Sequence, residues 1–398
     1  MTVAERMAGM SGVFHFLTSD TESSLYRNDL VRMTRDDRGN FVESEGVSTE
    51  PYELSVNNAR ELPRSESMTL HKNGFELIES PVKDYDFSKI SDVGSLIDQM
   101  KESGGFTATK LAKARDLLKN SIKRSKEKGV LNWLSFPACL CATGTRGFFL
   151  EAIKNNAFNV IITTCGTLDH DIARTHKDYL HGEFELDDIE LGEYGLNRLG
   201  NVIVPNSSYG EIIENVVLPA LEDIRKERME QTGLTGTELW KGFGTVELCW
   251  ELGNRVCDEN SLLFWAAKHE IPIVIPGITD GSIGAQLFMF RQKYPDFWID
   301  ILADEQRMSD LTWVAESSNA LMIGGGISKH HVIWWNQYRG GLDNAVYITT
   351  APEFDGSLSG ARLREAISWG KMRPEAPNIC VEGDASVLLP LLGSSLFN

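Results

Sequence analysis

Lys371 ends the run Ile367-Ser368-Trp369-Gly370-Lys371. A lysine beside an indole can lose its charge by desolvation and serve as an amine nucleophile. A snorkelling surface lysine is the alternative at this stage. His330 and His331 follow the triple glycine Gly324-Gly325-Gly326. Either could act as a base near neutrality, or cap the helix that follows. Three more stretches combine Gly, Ser, Thr and Asp: residues 163–171, 277–284 and 351–361. Glycine admits a ligand close to the backbone, and exposed N–H groups can hold a pyrophosphate. Four such stretches point to a dinucleotide site, although no strict GxGxxG is present. Asp384-Ala385-Ser386 either caps a helix or touches a ligand.

These stretches follow apolar runs, which are the elements that must position them. The runs are Phe158 to Thr164, Asn201 to Pro205, Ile271 to Pro276, Ala320 to Gly324, Ala345 to Thr349 and Asn378 to Val381. Helical periodicity covers 90–103, 107–127, 211–232 and 259–269; in the second, Leu111, Ala114, Leu117 and Leu118 share one side. Continuous apolar strands alternating with helices predict an α/β fold, with a parallel sheet flanked by helices on both faces. Such sheets bind ligands at the carboxyl ends of their strands. Residues 1–82 lack this pattern and read as an N-terminal extension of unknown role. Short alternating pieces at 13–17 and 75–78 are candidate strands, and residues 83–398 form the catalytic domain.

The chain carries 39 Lys and Arg against 57 Asp and Glu, a formal charge of −18. That balance argues against a nucleic-acid binder and permits a cationic partner such as a polyamine. No apolar run reaches the ~18–20 residues of a membrane span, and the first residues lack a signal peptide's apolar region. None of the six cysteines forms a CxxC pair. Cys139 and Cys141 have no matching second pair, so no metal site is expected. Free thiols suit a reducing, cytoplasmic protein.

Taken together, the motifs resemble the deoxyhypusine synthase family. The carriers are Gly324-Gly325-Gly326 with Lys329-His330-His331, Glu353-Phe354-Asp355-Gly356-Ser357 with Ser359-Gly360-Ala361-Arg362, and Glu365-Ala366-Ile367-Ser368-Trp369-Gly370-Lys371. Thr279-Asp280-Gly281-Ser282, Asn197-Arg198-Leu199-Gly200-Asn201, Gly182-Glu183-Phe184 and Asp384-Ala385-Ser386 support them, and the likeness spans about Tyr85 to Leu392. The resemblance implies a Rossmann-like sheet, a homotetramer, and NAD as cofactor. It implies oxidation of a polyamine, transfer of its aminobutyl group to an enzyme lysine, and passage to an acceptor amine. The acceptor is a translation-factor lysine in deoxyhypusine synthases and a free diamine in homospermidine synthases. By this likeness Lys371 forms the imine, His330 removes a proton, Glu365 steadies an amine and Trp369 covers the alkyl chain. Thr164, Gly166, Asp280, Gly324, Gly325, Thr350, Ser359, Asp384 and Ala385 would line NAD.

Several positions depart from the family pattern. Ala285 and Leu358 stand where the family has carboxylates that hold the cationic ends of spermidine. Trp334 replaces an asparagine, His170 an acid that touches the cofactor ribose, and Ala138-Cys139 a Ser-Asn pair. Hydrogen bonds involving a charged group are worth roughly 1.5–3 kcal/mol each, so losing two anchors weakens spermidine by a few kcal/mol unless other acids replace them. The sequence thus leaves three readings: a deoxyhypusine synthase, a relative with altered amine specificity, and a non-catalytic subunit.

Overall fold

The computed structural model describes residues 81–397, together with two short strands that pair antiparallel, β1 (Met33–Arg35) and β2 (Phe41–Glu43). The chain divides into two units, Met1–Glu79 and Ser80–Asn398. The candidate strands at 13–17 and 75–78 lie outside the described residues.

Two helices open the second unit, α1 (Val93–Glu102) and α2 (Phe106–Lys123). Then follow β3 (Val130–Ser135), α3 (Arg146–Lys154), β4 (Val160–Ile162), α4 (Gly166–His176), β5 (Leu180–His181), α5 (Asp188–Glu193), β6 (Leu196–Leu199) and β7 (Val202–Pro205). A helical block comes next: α6 (Gly210–Thr232), α7 (Thr245–Val256) and α8 (Leu262–Lys268). The chain closes with β8 (Ile273–Val274), α9 (Ser282–Lys293), α10 (Ile301–Val314), β9 (Ser317–Ile323), α11 (Gly326–Gln337), β10 (Asn344–Thr349), α12 (Glu365–Ser368), β11 (Asn378–Glu382) and α13 (Ala385–Leu396).

Six strands form one parallel sheet in the order β11-β10-β9-β3-β4-β8. Side chains alternate between its faces. Leu134, Ile161, Ile273, Leu321 and Val346 enter one core. Trp133, Val160, Ile162, Val274, Met322 and Tyr347 enter the other. Helices cover both, which is why the strands read as continuous apolar runs.

Two elements differ from the sequence expectation. Strand β3, buried along all six residues at the middle of the sheet, carried no clear apolar run because Asn132 and Ser135 interrupt it. Asn132 belongs to an amide ladder across the sheet. Asn344 Nδ2 donates to Asn319 Oδ1, and Asn319 Nδ2 donates to Asn132 Oδ1 at 2.8 Å. These residues are register partners, so the ladder reports and reinforces the alignment of β10, β9 and β3. The other difference is the run ending in Pro205. It forms β7 of a separate three-stranded antiparallel sheet, order β5-β7-β6. A two-residue turn, with Gly200 at φ +62°, closes the β6–β7 hairpin and keeps this strand out of the main sheet.

Candidate active site

The strand ends converge. A cleft of about 190 Å³ opens beyond β9, β10 and β11, lined by Pro137, Gly324, Thr350, Ser359, Asp384 and Ala385 among others. Gly324 and Gly326 take φ +65° and +71°, which lets the chain turn from β9 into α11. At Gly325 the constraint is approach: a Cβ would stand 2.1 Å from Ser359 Oγ. Thr164 Oγ1 accepts from Ala138 N at 3.1 Å, and a Cβ on Gly166 would stand 3.0 Å from that of Ala138. Thr164 and Gly166 therefore abut the segment after β3 that forms one wall of the cleft.

The glycine-rich strand ends are not equivalent as anion sites. Helix α9 begins at Ser282, but buried Asp169 already accepts from Ser282 N and Ile283 N, both at 2.8 Å. Asp384 caps α13 through Ser386 N, so the capping alternative holds for it while it also borders the cleft. Helices α4 and α11 start without any side-chain cap. In α4, Thr167 N and Leu168 N already donate to Thr164 O and Cys165 O, both at 3.0 Å, so the start of α11 is the better candidate to meet a phosphate. Asp280 is exposed beside the capped turn, outside the residues that line the 190 Å³ cleft.

Lys371 is only 8% exposed. Gly370, at φ +65°, carries the chain out of α12, and Lys371 N donates to Ala366 O at 2.9 Å. The Lys371 amine lies 5.4 Å from the Trp334 ring centre and 5.3 Å from that of Trp369. Trp369 is itself 71% exposed, so the chain's own body and Trp334 supply most of the burial. His330 stacks on Trp334, with centroids 5.7 Å apart. Burial, then the Lys371 and His331 charges, push the His330 pKa down. Its ring is therefore neutral at neutral pH and able to accept a proton. His331 turns the other way, its Nε2 2.9 Å from Glu305 Oε1. The ambiguity between the two histidines resolves by direction on the helix.

Glu365 is exposed and its Oε1 accepts from Arg362 N at 3.4 Å. Ala285 is exposed on α9, and Leu358 is half-buried in the loop after β10. His170 lies apart from the cleft just described. It borders a second cavity with Asn197, Arg198 and Tyr209, and its Nδ1 is 3.0 Å from Tyr179 Oη. Burial holds its ring down to about 4, with a smaller push from the Arg174 charge. Lys329 was not singled out from sequence beyond its place in a motif. It is 2% exposed, and burial brings its amine down to about 8. Its position three residues into α11, facing inward, was the available signal.

A sequence profile of the deoxyhypusine synthase family matches residues 95–396. Proteins named "Probable deoxyhypusine synthase" from Picrophilus torridus and Thermoplasma acidophilum are each 49% identical over 317 residues, covering 80% of this chain and 97% of the relative. One from Ignicoccus hospitalis is 44% identical over 326 residues. The chain belongs to the deoxyhypusine synthase family. A solved structure bearing that name, from Entamoeba histolytica, shares the fold at a TM-score of 0.52 and 21% identity, covering 79% of this chain and 96% of that one. The family match takes in all six strands of the parallel sheet and every candidate residue named above. Among the described residues no helix is long and apolar enough to cross a membrane, and no cluster of His, Cys, Asp and Glu could hold a metal.

Proposed function

We propose that this member of the family is an NAD-dependent aminobutyl transferase that works through an imine on Lys371. The observation that carries the reading is the juxtaposition of a buried lysine, a neutral histidine and two indoles, with the histidine on the helix that follows the cleft's Gly324 turn. Bare backbone at Gly324 and Gly325 and the start of α11, which has no side-chain cap, support a dinucleotide in the cleft. Thr164, Gly166, Gly324, Gly325, Thr350, Ser359, Asp384 and Ala385 would hold NAD, with Asp280 and His170 farther out. NAD, when bound, removes a hydride from the donor amine and later returns it to the product.

His330 takes the proton released as the donor amine becomes an imine. The Lys371 amine then attacks that imine carbon, and the remainder of the donor leaves as a free amine. The aminobutyl group rests on Lys371 as an imine until the acceptor amine displaces it. Glu365 steadies a cationic end of the donor, and Trp369 lies along its alkyl chain. The donor is spermidine or a related amine, the acceptor a translation-factor lysine, and the assembly a cytoplasmic homotetramer. The test is NADH fluorescence on adding spermidine to protein and NAD. A spermidine-dependent signal lost in His330→Ala, together with a borohydride-trapped adduct lost in Lys371→Ala, supports the reading; silence with every amine tried overturns it.

A second reading is altered amine specificity, and Trp334 favours it. Its ring stands 5.4 Å from the Lys371 amine, while Ala285 and Leu358 offer no charge. Under that reading the pocket meets its amine with aromatic faces and Glu365, and prefers a donor with fewer cationic ends. The variant Trp334→Asn then gains activity with spermidine relative to a diamine. An unchanged ratio contradicts it.

A further inference from the structure

The loop between β10 and α12 is fastened from beneath by buried side chains. Lys329 Nζ donates to Leu358 O at 2.8 Å and to Ala361 O at 2.7 Å. The same ammonium sits 3.6 Å from the Tyr347 ring centre. Tyr347 Oη donates to Ser359 O at 2.6 Å, and Thr349 Oγ1 donates to that carbonyl at 3.0 Å. Three carbonyls within four residues are thus held by groups on α11 and β10. The loop is also closed on itself: a Cβ on Gly360 would stand 2.2 Å from Pro352 O. Of these fasteners Lys329 alone is charged, and charge-assisted hydrogen bonds are about twice as strong as neutral ones.

We propose that Lys329 is a positioning residue that sets the cofactor wall of the site by clamping the loop carrying Leu358 and Ser359 to the helix carrying His330. Its neighbour in sequence is His330, and its two acceptors flank Ser359, which lines the cleft and touches Gly325. One rigid connection therefore fixes the spacing between the proton acceptor, the glycine turn and the outer wall. Burial of the four-carbon stem against Tyr347 leaves the amine no route to solvent without moving the loop. Both oxygen acceptors of the ammonium are backbone carbonyls of the loop. This inference rests on the proposal that the cleft binds NAD.

The experiment measures NAD affinity, the rate of amine-dependent NADH formation at saturating NAD, and amide exchange of residues 356–361 in the full chain and in Lys329→Met. The methionine keeps the stem and removes the charged donor. The expected result is faster exchange in the loop and NAD binding weakened by about tenfold or more, since both charge-assisted contacts are lost and one alone is worth about that factor. At saturating NAD the rate recovers to a larger fraction of the wild-type value than the affinity does. A merely structural lysine would lower stability without that split. Unchanged exchange and affinity in a folded Lys329→Met overturn the clamp. Should that variant fail to fold, Tyr347→Phe removes only the Ser359 contact. It must then raise exchange and weaken NAD by a smaller factor, and no change in either overturns the proposal. Failure of the wild-type chain to bind NAD at all instead sinks the reading of the cleft and is told apart by that control.

Discussion

Lys371 and Lys329 are both buried lysines, and their surroundings separate the roles proposed for them. Lys371 faces two indole rings and a neutral histidine, whereas Lys329 is spent on loop carbonyls. His170 permits a test of burial at a single residue. Its folded ring titrates near 4 because burial disfavours the cation, against about 6.5 in an unfolded chain. The folded state gains from the neutral ring above pH 6.5 and loses that gain as the pH falls through the window toward 4. At about 1.4 kcal/mol per pH unit, the loss reaches up to about 3 kcal/mol. Replacing His170 with Phe removes this term, so urea midpoints of the variant fall less between pH 7 and pH 4.5 than those of wild type. Parallel slopes would contradict the account. The candidate roles of Lys371 and His330 were read from contiguous motifs, whereas the contacts of Asp169 and Lys329 could not be read that way. Each acts on backbone far away in sequence: Asp169 on Ser282 and Ile283, Lys329 on Leu358 and Ala361.

Elements are aimed by buried polar groups as well as by the apolar core. Asp304 on α10 is 3% exposed and accepts from Thr245 N and Thr245 Oγ1, each at 2.8 Å, and from Val246 N at 3.1 Å. It holds the start of α7 from outside that helix. Asp171 does the same for α8, accepting from Leu262 N and Leu263 N at 3.0 Å and pairing with Arg146. Asp304→Ala leaves those N–H groups buried without their acceptor and costs about 2–4 kcal/mol, read as a lower urea midpoint. A loss below about 0.5 kcal/mol, the size of an ordinary surface change, would show that the cap is dispensable. Burial pushes the Asp304 pKa up despite these contacts. The protonation-linked part of the stability is therefore fully present below the ordinary carboxylate value and lost as pH rises through the raised one, while the three cap hydrogen bonds remain available to the carboxylate. The sequence located α1, α2, α6 and α8 to within a few residues, because helical periodicity is local. It missed β3 because the amide ladder through Asn132, Asn319 and Asn344 places polar side chains where a core strand is expected to be apolar. It assigned β7 to the wrong sheet because pairing partners are decided by the Gly200 turn and not by composition.

At the scale of the molecule, residues 80–398 carry both hydrophobic cores and all the candidate site residues. A chain beginning at Ser80 is expected to fold with a melting temperature within a few degrees of the full chain, by calorimetry. Collapse of the transition would contradict the division into two units. The parallel sheet was legible because apolar runs, small-residue strand ends and family motifs agree with one another. The separate lodging of His170 beside Asn197 and Tyr209, away from the cleft between β9 and β11, was not, because it depends on how the small β5-β7-β6 sheet and α6 border α4. The central claim is covalent chemistry at one lysine, and it needs the intact protein. The most direct measurement is intact and peptide mass after incubation with NAD and spermidine followed by borohydride. The account predicts an aminobutyl adduct confined to the peptide bearing Lys371 and absent in Lys371→Ala. An adduct on another residue, or none from any amine while NAD is bound, would contradict it.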